Sequence, residues 1–365
     1  MNHTNTDILI FISDLGAGGA QRVVCKLATY WSELGRTVTI VTLSDPEYDF
    51  FTIPSNVVRE TIGLQTVSTS FFTALVKNIR RIWRLRRVFF RVRPAVAIGF
   101  VAPSSVLLVA AAIATDIRTI AAERNDPSKQ TFGRIWDLLR DFAYQYVDRI
   151  TVNSTGAGAI LGKRFSSTEI TITPNPIPSV HKGPVLELPG PVILFVGRLH
   201  PQKGVDYLLQ AFSAINAPQW HLLIVGDGDQ RTELESMSKK LGIQAQTTFS
   251  GTVQDPTPYY RSAEIFALPS RHEGTPNALL EAMCYGLPVV ISDSSSGPLD
   301  LVRENGAGIV TACGDVDGLA KALQLLINNR ELRERLGKKG SNSMEKRRRQ
   351  DQSYQLWDSA LDFTK

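Results

Sequence analysis

The chain is poor in the residues that staple small or secreted folds. Its 365 residues include three cysteines, Cys25, Cys284 and Cys313. An odd number at wide spacing fits neither a disulfide framework nor a metal-ligand pattern, so a reducing cytosol is the simplest setting. A secretory leader is not expected, because the first apolar run, Ile8–Ile12, is short and leads directly into Asp14. A membrane-spanning helix is not expected either. Residues 95–115 carry no charge and are numerous enough to cross a bilayer. Gly99, Pro103, Ser104 and Ser105 interrupt them, which predicts a strand at Val96–Phe100 and then a helix at 106–114.

At this length two domains of ordinary size are expected. The formal charge is +5, unevenly spread: residues 1–178 hold 20 Lys/Arg against 14 Asp/Glu, the remainder 20 against 21. The basic character therefore belongs to the first half. That half opens with a strand ending at Ile12, a glycine loop from Asp14 to Arg22, a helix at 23–34 and a strand at 37–43. Strand, glycine loop, helix and strand form a Rossmann-like opening. Gly16, Gly18 and Gly19 suggest a dinucleotide site, but GAGGAQR is not G-x-G-x-x-G, and Leu43 is followed by Ser44 rather than an acid. A dehydrogenase is rejected on that ground. Further strands are expected at 117–122, 149–152 and 170–174. Three prolines within 173–180 read as a stiff linker, and alternating strands and helices are expected from there to about Arg330.

Two segments beyond the linker carry chemistry. The apolar run 191–196 leads into Gly197-Arg198-Leu199-His200-Pro201-Gln202-Lys203-Gly204 and then a helical pattern. Gly197 permits close backbone approach. Arg198 offers a planar fork and Lys203 a point charge, a pairing suited to a diphosphate. The apolar run 264–270 leads into RHEGTPNALLEAMCYG, which predicts a turn and a helix starting near Pro276. A helix N-terminus suits a phosphate. Glu281, about one turn in, can accept from two vicinal ribose hydroxyls, and its apolar surroundings make mere solvation awkward. Between these segments the run 220–225 ends in Gly226-Asp227-Gly228, a third tight turn.

Taken in order and spacing, VGRLHPQKG, the Gly-Asp-Gly turn and EGTPNALLE resemble the donor-binding half of family 4 glycosyltransferases. These are retaining α/β enzymes of the GT-B fold, with two Rossmann-like domains facing across a cleft. The resemblance implies an acceptor-binding domain at 1–175, a nucleotide-sugar domain at 176–345 and a helix at 346–365 crossing back to the first. It implies that Arg198 and Lys203 bind the donor diphosphate, Glu281 the ribose, and Glu273 the transferred sugar, with Glu273, Arg198 and Lys203 acting catalytically. Gly197, Gly226, Gly274, Asn277, Ala278 and Leu279 would complete the donor site, and Gly18 and Gly19 would face the sugar. Many members carry a histidine in the N-terminal domain; here only His3 precedes the linker. The loop Glu123-Arg124-Asn125-Asp126-Pro127 is similar to its counterpart in bacterial enzymes extending polyprenyl-diphosphate-linked oligosaccharides, including N-acetylgalactosaminyltransferases, so Arg124 and Asn125 are taken as acceptor contacts. Fixed cations and helix amides meet the charge of the leaving group, so neither metal nor cofactor is expected beyond the nucleotide sugar itself, expected to be UDP-linked.

One stretch lacks acid entirely. Residues 71–93 hold eight basic residues and no Asp or Glu. On a helical wheel Lys77, Arg80, Arg81, Arg84, Arg87 and Arg91 share one arc, opposite Phe71, Phe72, Leu75, Ile79, Ile82, Trp83, Phe89 and Phe90. An arc of one sign suits anionic lipid or a lipid-diphosphate acceptor, with a solvated face as the plain alternative. Nothing resembles a nucleic-acid module. The expected enzyme is thus cytosolic, peripheral to the inner face of the membrane, and moves N-acetylgalactosamine or a related hexose onto a lipid-linked oligosaccharide. A UDP-sugar epimerase of the same fold and a non-catalytic glycan-assembly partner are the alternatives. The basic run 338–349 reads as a solvated helix face.

Overall fold

The structure, a computed structural model, describes residues 6–64 and 71–361. His3, the side chain of Phe71 and the expected end of the last helix at Phe363 lie outside the described residues. The chain forms two compact units, one comprising Met1–Asn175 with Gln352–Lys365, the other Pro176–Asp351.

The first unit runs β1 (Ile8–Ile12), α1 (Gly19–Glu33), β2 (Val38–Thr42), β3 (Val58–Thr61), α2 (Phe71–Val92), β4 (Val96–Phe100), α3 (Ala102–Ala112), β5 (Arg118–Glu123), α4 (Arg134–Ala143), β6 (Arg149–Val152), α5 (Thr155–Arg164) and β7 (Glu169–Ile172). Its strands pair in parallel in the order β3-β2-β1-β4-β5-β6-β7. Alternation along β1 separates two cores. Ile8, Ile10 and Ile12 pack under α1, whereas Leu9 and Phe11 pack under α2 and α3. The uncharged stretch 95–115 is indeed a strand and a helix. A Cβ on Gly99 would stand 2.5 Å from Ser105 Cα, so only glycine lets α3 lie this close to β4. Pro103 sits in the first turn of α3, where its missing N–H has no role. No helix among the described residues is long and apolar enough to cross a membrane.

The second unit runs β8 (Val192–Val196), α6 (Val205–Ser213), β9 (His221–Val225), α7 (Arg231–Lys240), β10 (Thr247–Gly251), α8 (Thr257–Ser262), β11 (Ile265–Leu268), α9 (Asn277–Cys284), β12 (Val289–Ser292), α10 (Ser296–Asn305), β13 (Gly308–Thr311), α11 (Val316–Asn328) and α12 (Arg330–Arg349). Its parallel sheet has the order β10-β9-β8-β11-β12-β13, a doubly wound arrangement whose direction reverses between β8 and β11.

The last helix, α13 (Ser353–Leu361), belongs to the first unit, not the second. Residues 346–349, expected to open it, instead finish the 20-residue α12, and the helical structure is interrupted at 350–352. Trp357 fills the α1 side of the sheet, edge-on to Trp31 and stacked on Phe100. Asp358 accepts from Tyr30 Oη at 2.7 Å and Trp31 Nε1 at 2.9 Å, which anchors the helix on α1.

Candidate active site

The loops after β8 and β11 flank the reversal of strand order in the second unit, where open α/β sheets hold ligands. Close backbone packing sets their shape. Gly226 has φ of +133°, and a Cβ there would lie 1.9 Å from the Gly197 carbonyl oxygen. Leu199 N donates to Asp227 O at 2.9 Å, which joins the Gly-Asp-Gly turn to the Arg198 loop. Gly204, at φ of +66°, lies where a Cβ would meet Pro269 O at 2.1 Å, so the β8 and β11 loops also touch. Gly226 is therefore held to glycine by the neighbouring loop.

Within this frame Lys203 Nζ donates to Glu273 Oε1 at 2.6 Å. Glu273 is buried, accepts also from Ser270 Oγ at 2.7 Å, and donates its own N–H to Ser295 Oγ at 3.1 Å. Arg198, on the same loop as Lys203, is exposed. Gly274 is buried, and a Cβ on Gly297 would stand 2.0 Å from its carbonyl oxygen, so the start of α10 lies directly against it. Asn277 and Ala278 open α9, the positively polarised end of the helix. Leu279 differs from expectation: its amide donates to Pro276 O at 3.1 Å and its side chain is in the core, so it has nothing to offer a donor. Glu281, one turn in, is a buried carboxylate.

Sequence reasoning missed the clamp between these loops. Arg271 grips Asp206 with two bonds of 2.9 and 2.7 Å, lies over the Tyr207 ring at 4.0 Å, and donates from its backbone to Gln202 O. The hydrogen bonds to Asp206 raise the Arg271 pKa above its ordinary value. Gln202 closes the clamp by donating to His272 O at 2.9 Å. An Asp shortly after a Lys-Gly turn and an Arg shortly before an acid were visible, but their pairing across 65 residues was not.

Gly18 and Gly19 lie in the first unit at the start of α1, on a loop braced by Asp14, whose Oδ1 accepts from Gly16 N and Gln21 Nε2. The expectation for Arg124 is corrected. Its guanidinium donates to Thr173 O at 2.9 Å and to the hydroxyls of Thr151 and Thr173, and lies 4.6 Å from the Trp357 ring centroid. Enclosure lowers its pKa, against the pull of Glu123. It is a tie between β6, the end of β7 and α13, and is not presented to an acceptor. Asn125 stays half-buried on the loop, accepting from Asp126 N.

The basic helix is corrected in part. Arg84 donates to Ile62 O at 2.6 Å, Arg81 to Leu64 O at 2.6 Å, and Arg91 pairs with Glu60. Those three cations fasten α2 to the chain around β3. Arg80 and Arg87 are exposed, Arg87 lying 4.5 Å from the Trp83 ring centroid, and Lys77 is half-buried. Ile82 and Phe89 pack inward, whereas Phe72, Leu75, Ile79, Trp83 and Phe90 are exposed.

The sequence and the architecture both match known proteins. The model described as Glycosyltransferase Family 4 matches residues 17–179, and the one described as Glycosyl transferases group 1 matches 179–343. The chain belongs to the family 4 glycosyltransferases. It is 34% identical over 187 residues to an uncharacterized glycosyltransferase of Haemophilus influenzae, spanning 51% of this chain and 53% of that relative's length. It is 25% identical over 337 residues, 90% of this chain and 91% of the relative, to a Campylobacter jejuni protein. That protein is the GalNAc-alpha-(1→4)-GalNAc-alpha-(1→3)-diNAcBac-PP-undecaprenol alpha-1,4-N-acetyl-D-galactosaminyltransferase. Among solved structures, sucrose-phosphate synthase from Thermosynechococcus elongatus superposes with a TM-score of 0.83 at 19% identity, over 97% of this chain and 98% of that one, a likeness of fold. The family 4 glycosyltransferase thus has two parallel-sheet, Rossmann-like domains of the GT-B type.

Proposed function

We propose that this glycosyltransferase moves N-acetylgalactosamine or a related hexose from a UDP-sugar to a lipid-linked oligosaccharide, with retention and without a metal or other cofactor. The observation that carries the reading is the Lys203–Glu273 pair joining the two loops at the strand-order reversal, one of which also carries the exposed Arg198 and the other of which leads into α9 with its buried Glu281. Arg198 and Lys203 meet the negative charge that develops on the leaving diphosphate, with the amides at Asn277 and Ala278 alongside. Glu273 orients the sugar, and Glu281 holds the ribose. The anomeric carbon–oxygen bond to the diphosphate breaks as the acceptor hydroxyl bonds on the same face, and its proton passes to the leaving phosphate oxygen. The names of the Campylobacter relatives support the donor and acceptor class. The enzyme works at the inner face of the cytoplasmic membrane, with Lys77, Arg80 and Arg87 of α2 toward anionic headgroups or the acceptor diphosphate.

A donor panel of UDP-, GDP- and ADP-sugars with a polyprenyl-diphosphate-linked oligosaccharide tests the reading. Acceptor-dependent release of UDP, persistence of transfer in EDTA and an α-linked product from an α-linked donor are expected. A β-linked product overturns retention, strict dependence on Mg²⁺ or Mn²⁺ overturns the metal-free step, and epimerisation without acceptor overturns transfer itself.

A further inference from the structure

Helix α4 is built inside out. Its one deeply buried charged residue is Arg140, 3% exposed, near Asp137 and Asp141 at 3.8 and 3.9 Å, whereas Leu138 and Phe142 are 69% and 61% exposed. Ile135 and Leu139 complete this outward apolar face. Spacings of three and four residues place the four on one stripe. A helix on a water-facing layer normally shows the reverse pattern. A contiguous apolar stripe that no element among the described residues covers is a surface suited to an apolar partner.

A second stripe of the same kind lies on α2, where Phe72, Ile79, Trp83 and Phe90 are exposed. The α2 wheel has three sectors: an inner one holding Leu85, Phe89 and Val92, a cationic one, and this apolar one. The cationic sector lies toward β3, since Arg84 and Arg91 reach Ile62 and Glu60. The apolar sector lies toward α3, since Arg86 from that side donates to Ala111 O and Ile113 O at its C-terminal end. Helix α3 in turn packs on both α2 and α4, and Trp136 of α4 reaches the cores under both. The two stripes therefore flank α3 on one layer of the sheet, with the exposed Ile113 at the end of α3.

We infer that α4 and α2 together form a two-helix insertion surface for an anionic bilayer, in which α4 supplies the apolar anchor and Arg80 and Arg87 of α2 the headgroup contacts. The inference rests on the membrane-linked reading above and deepens it. Charge chooses the occupant. Arg80 and Arg87 border the α2 stripe and Arg134 is exposed at the start of α4, whereas Asp137 and Asp141 of α4 are half-buried beside Arg140 and the exposed Asp116 lies beyond the end of α3, so cations predominate among the exposed charges at these stripes. Apolar side chains beside cations match the acyl–headgroup boundary of an anionic leaflet. Two parallel stripes also fix which way the unit faces the lipid, which one helix does not.

The test is co-sedimentation of the full chain with vesicles of phosphatidylcholine and phosphatidylglycerol in equal parts. Leu138→Gln/Phe142→Gln should lower partitioning about tenfold or more, equally at low and high salt. Arg80→Gln/Arg87→Gln should lower it mainly at low salt. UDP binding, measured by calorimetry, should be unchanged in both. If the glutamine pair on α4 fails to fold, Leu138→Ala/Phe142→Ala carries the same expectation. Wild-type partitioning by a folded α4 variant, with loss in the α2 variant, overturns the role of α4 and leaves the membrane-linked reading standing. A wild type that ignores vesicles overturns both. A dimer in sedimentation velocity that the α4 variant dissociates assigns the stripe to a second copy and overturns the lipid proposal.

Discussion

Lys203 Nζ and Glu273 Oε1 lie 2.6 Å apart, so the cation proposed for the leaving diphosphate also neutralises the carboxylate proposed for the sugar. Both side chains are largely enclosed. Removing the lysine therefore does two things at once. Lys203→Ala should destabilise the second unit by about 3 kcal/mol, because Glu273 is left buried without its cation, and should lower kcat by about 10²-fold or more. Arg198→Ala should lower kcat similarly with no change in melting temperature, because Arg198 is exposed. Thermal melts beside steady-state kinetics separate the two. Wild-type melting in Lys203→Ala would show that the pair does not hold the loop.

The Arg271–Asp206 clamp ties the loops after β8 and β11 without occupying the proposed donor positions. Arg271→Ala and Asp206→Ala should each weaken UDP binding and lower stability by about 1 kcal/mol, as for a partly exposed bidentate pair. The double variant should be no worse than Arg271→Ala, which removes the shared contact together with the packing on Tyr207. Additive losses in a double-mutant cycle measured by calorimetry would mean that the residues act separately.

What was legible in the sequence follows from burial. Strands covered on both faces read as unbroken apolar runs, so β1, β4, β8, β9 and β11 were plain. Strand β3, VRET at a sheet edge, is only partly buried and carries no such run. The loops after β8 and β11 were legible as candidates because glycine, Arg198, Lys203, Glu273 and Glu281 stand at fixed offsets from apolar strands. Arg124 looked like Arg198, a cation just after a strand. The difference lies in Thr173 and Trp357, 49 and 233 positions further on, which no local pattern reveals. Helix α4 shows the remaining limit. Periodicity reports that a helix has two faces, but Arg140 facing in and Leu138 facing out is decided by the neighbours.

Glu281 is a buried carboxylate on α9, enclosed by the apolar residues that make that helix part of the core. If it holds the ribose, Glu281→Gln keeps the shape, weakens one acceptor, and should raise the Kd for UDP about tenfold, a cost of roughly 1.4 kcal/mol. Glu273→Gln should instead leave UDP affinity near wild type and slow turnover, because the sugar is absent from UDP. Calorimetric titration with UDP distinguishes them. Equal UDP affinity in Glu281→Gln and wild type would remove the ribose assignment.

Glu123 ends β5 in a fully enclosed position, accepting from Tyr144 Oη at 3.0 Å while its Oε1 has no partner. Burial raises its pKa, with Arg140, Tyr144 and Arg124 pulling the other way, and burial also pushes the Tyr144 phenol well up. A carboxyl whose folded pKa lies above its unfolded value binds its proton more tightly in the native state. Its stabilising contribution is complete below the ordinary Glu range and is lost as pH rises through the folded pKa. Glu123→Gln, uncharged at every pH, should therefore remove part of the fall in stability above that range. The variant should melt a few degrees higher than wild type at alkaline pH and close to it in mild acid, a shift of the size expected from about 1 kcal/mol in a domain of this length. Melting temperatures of the two proteins across a pH series measure this directly. A variant less stable than wild type at alkaline pH would mean that Glu123 is ionised and held by Arg140 and Arg124.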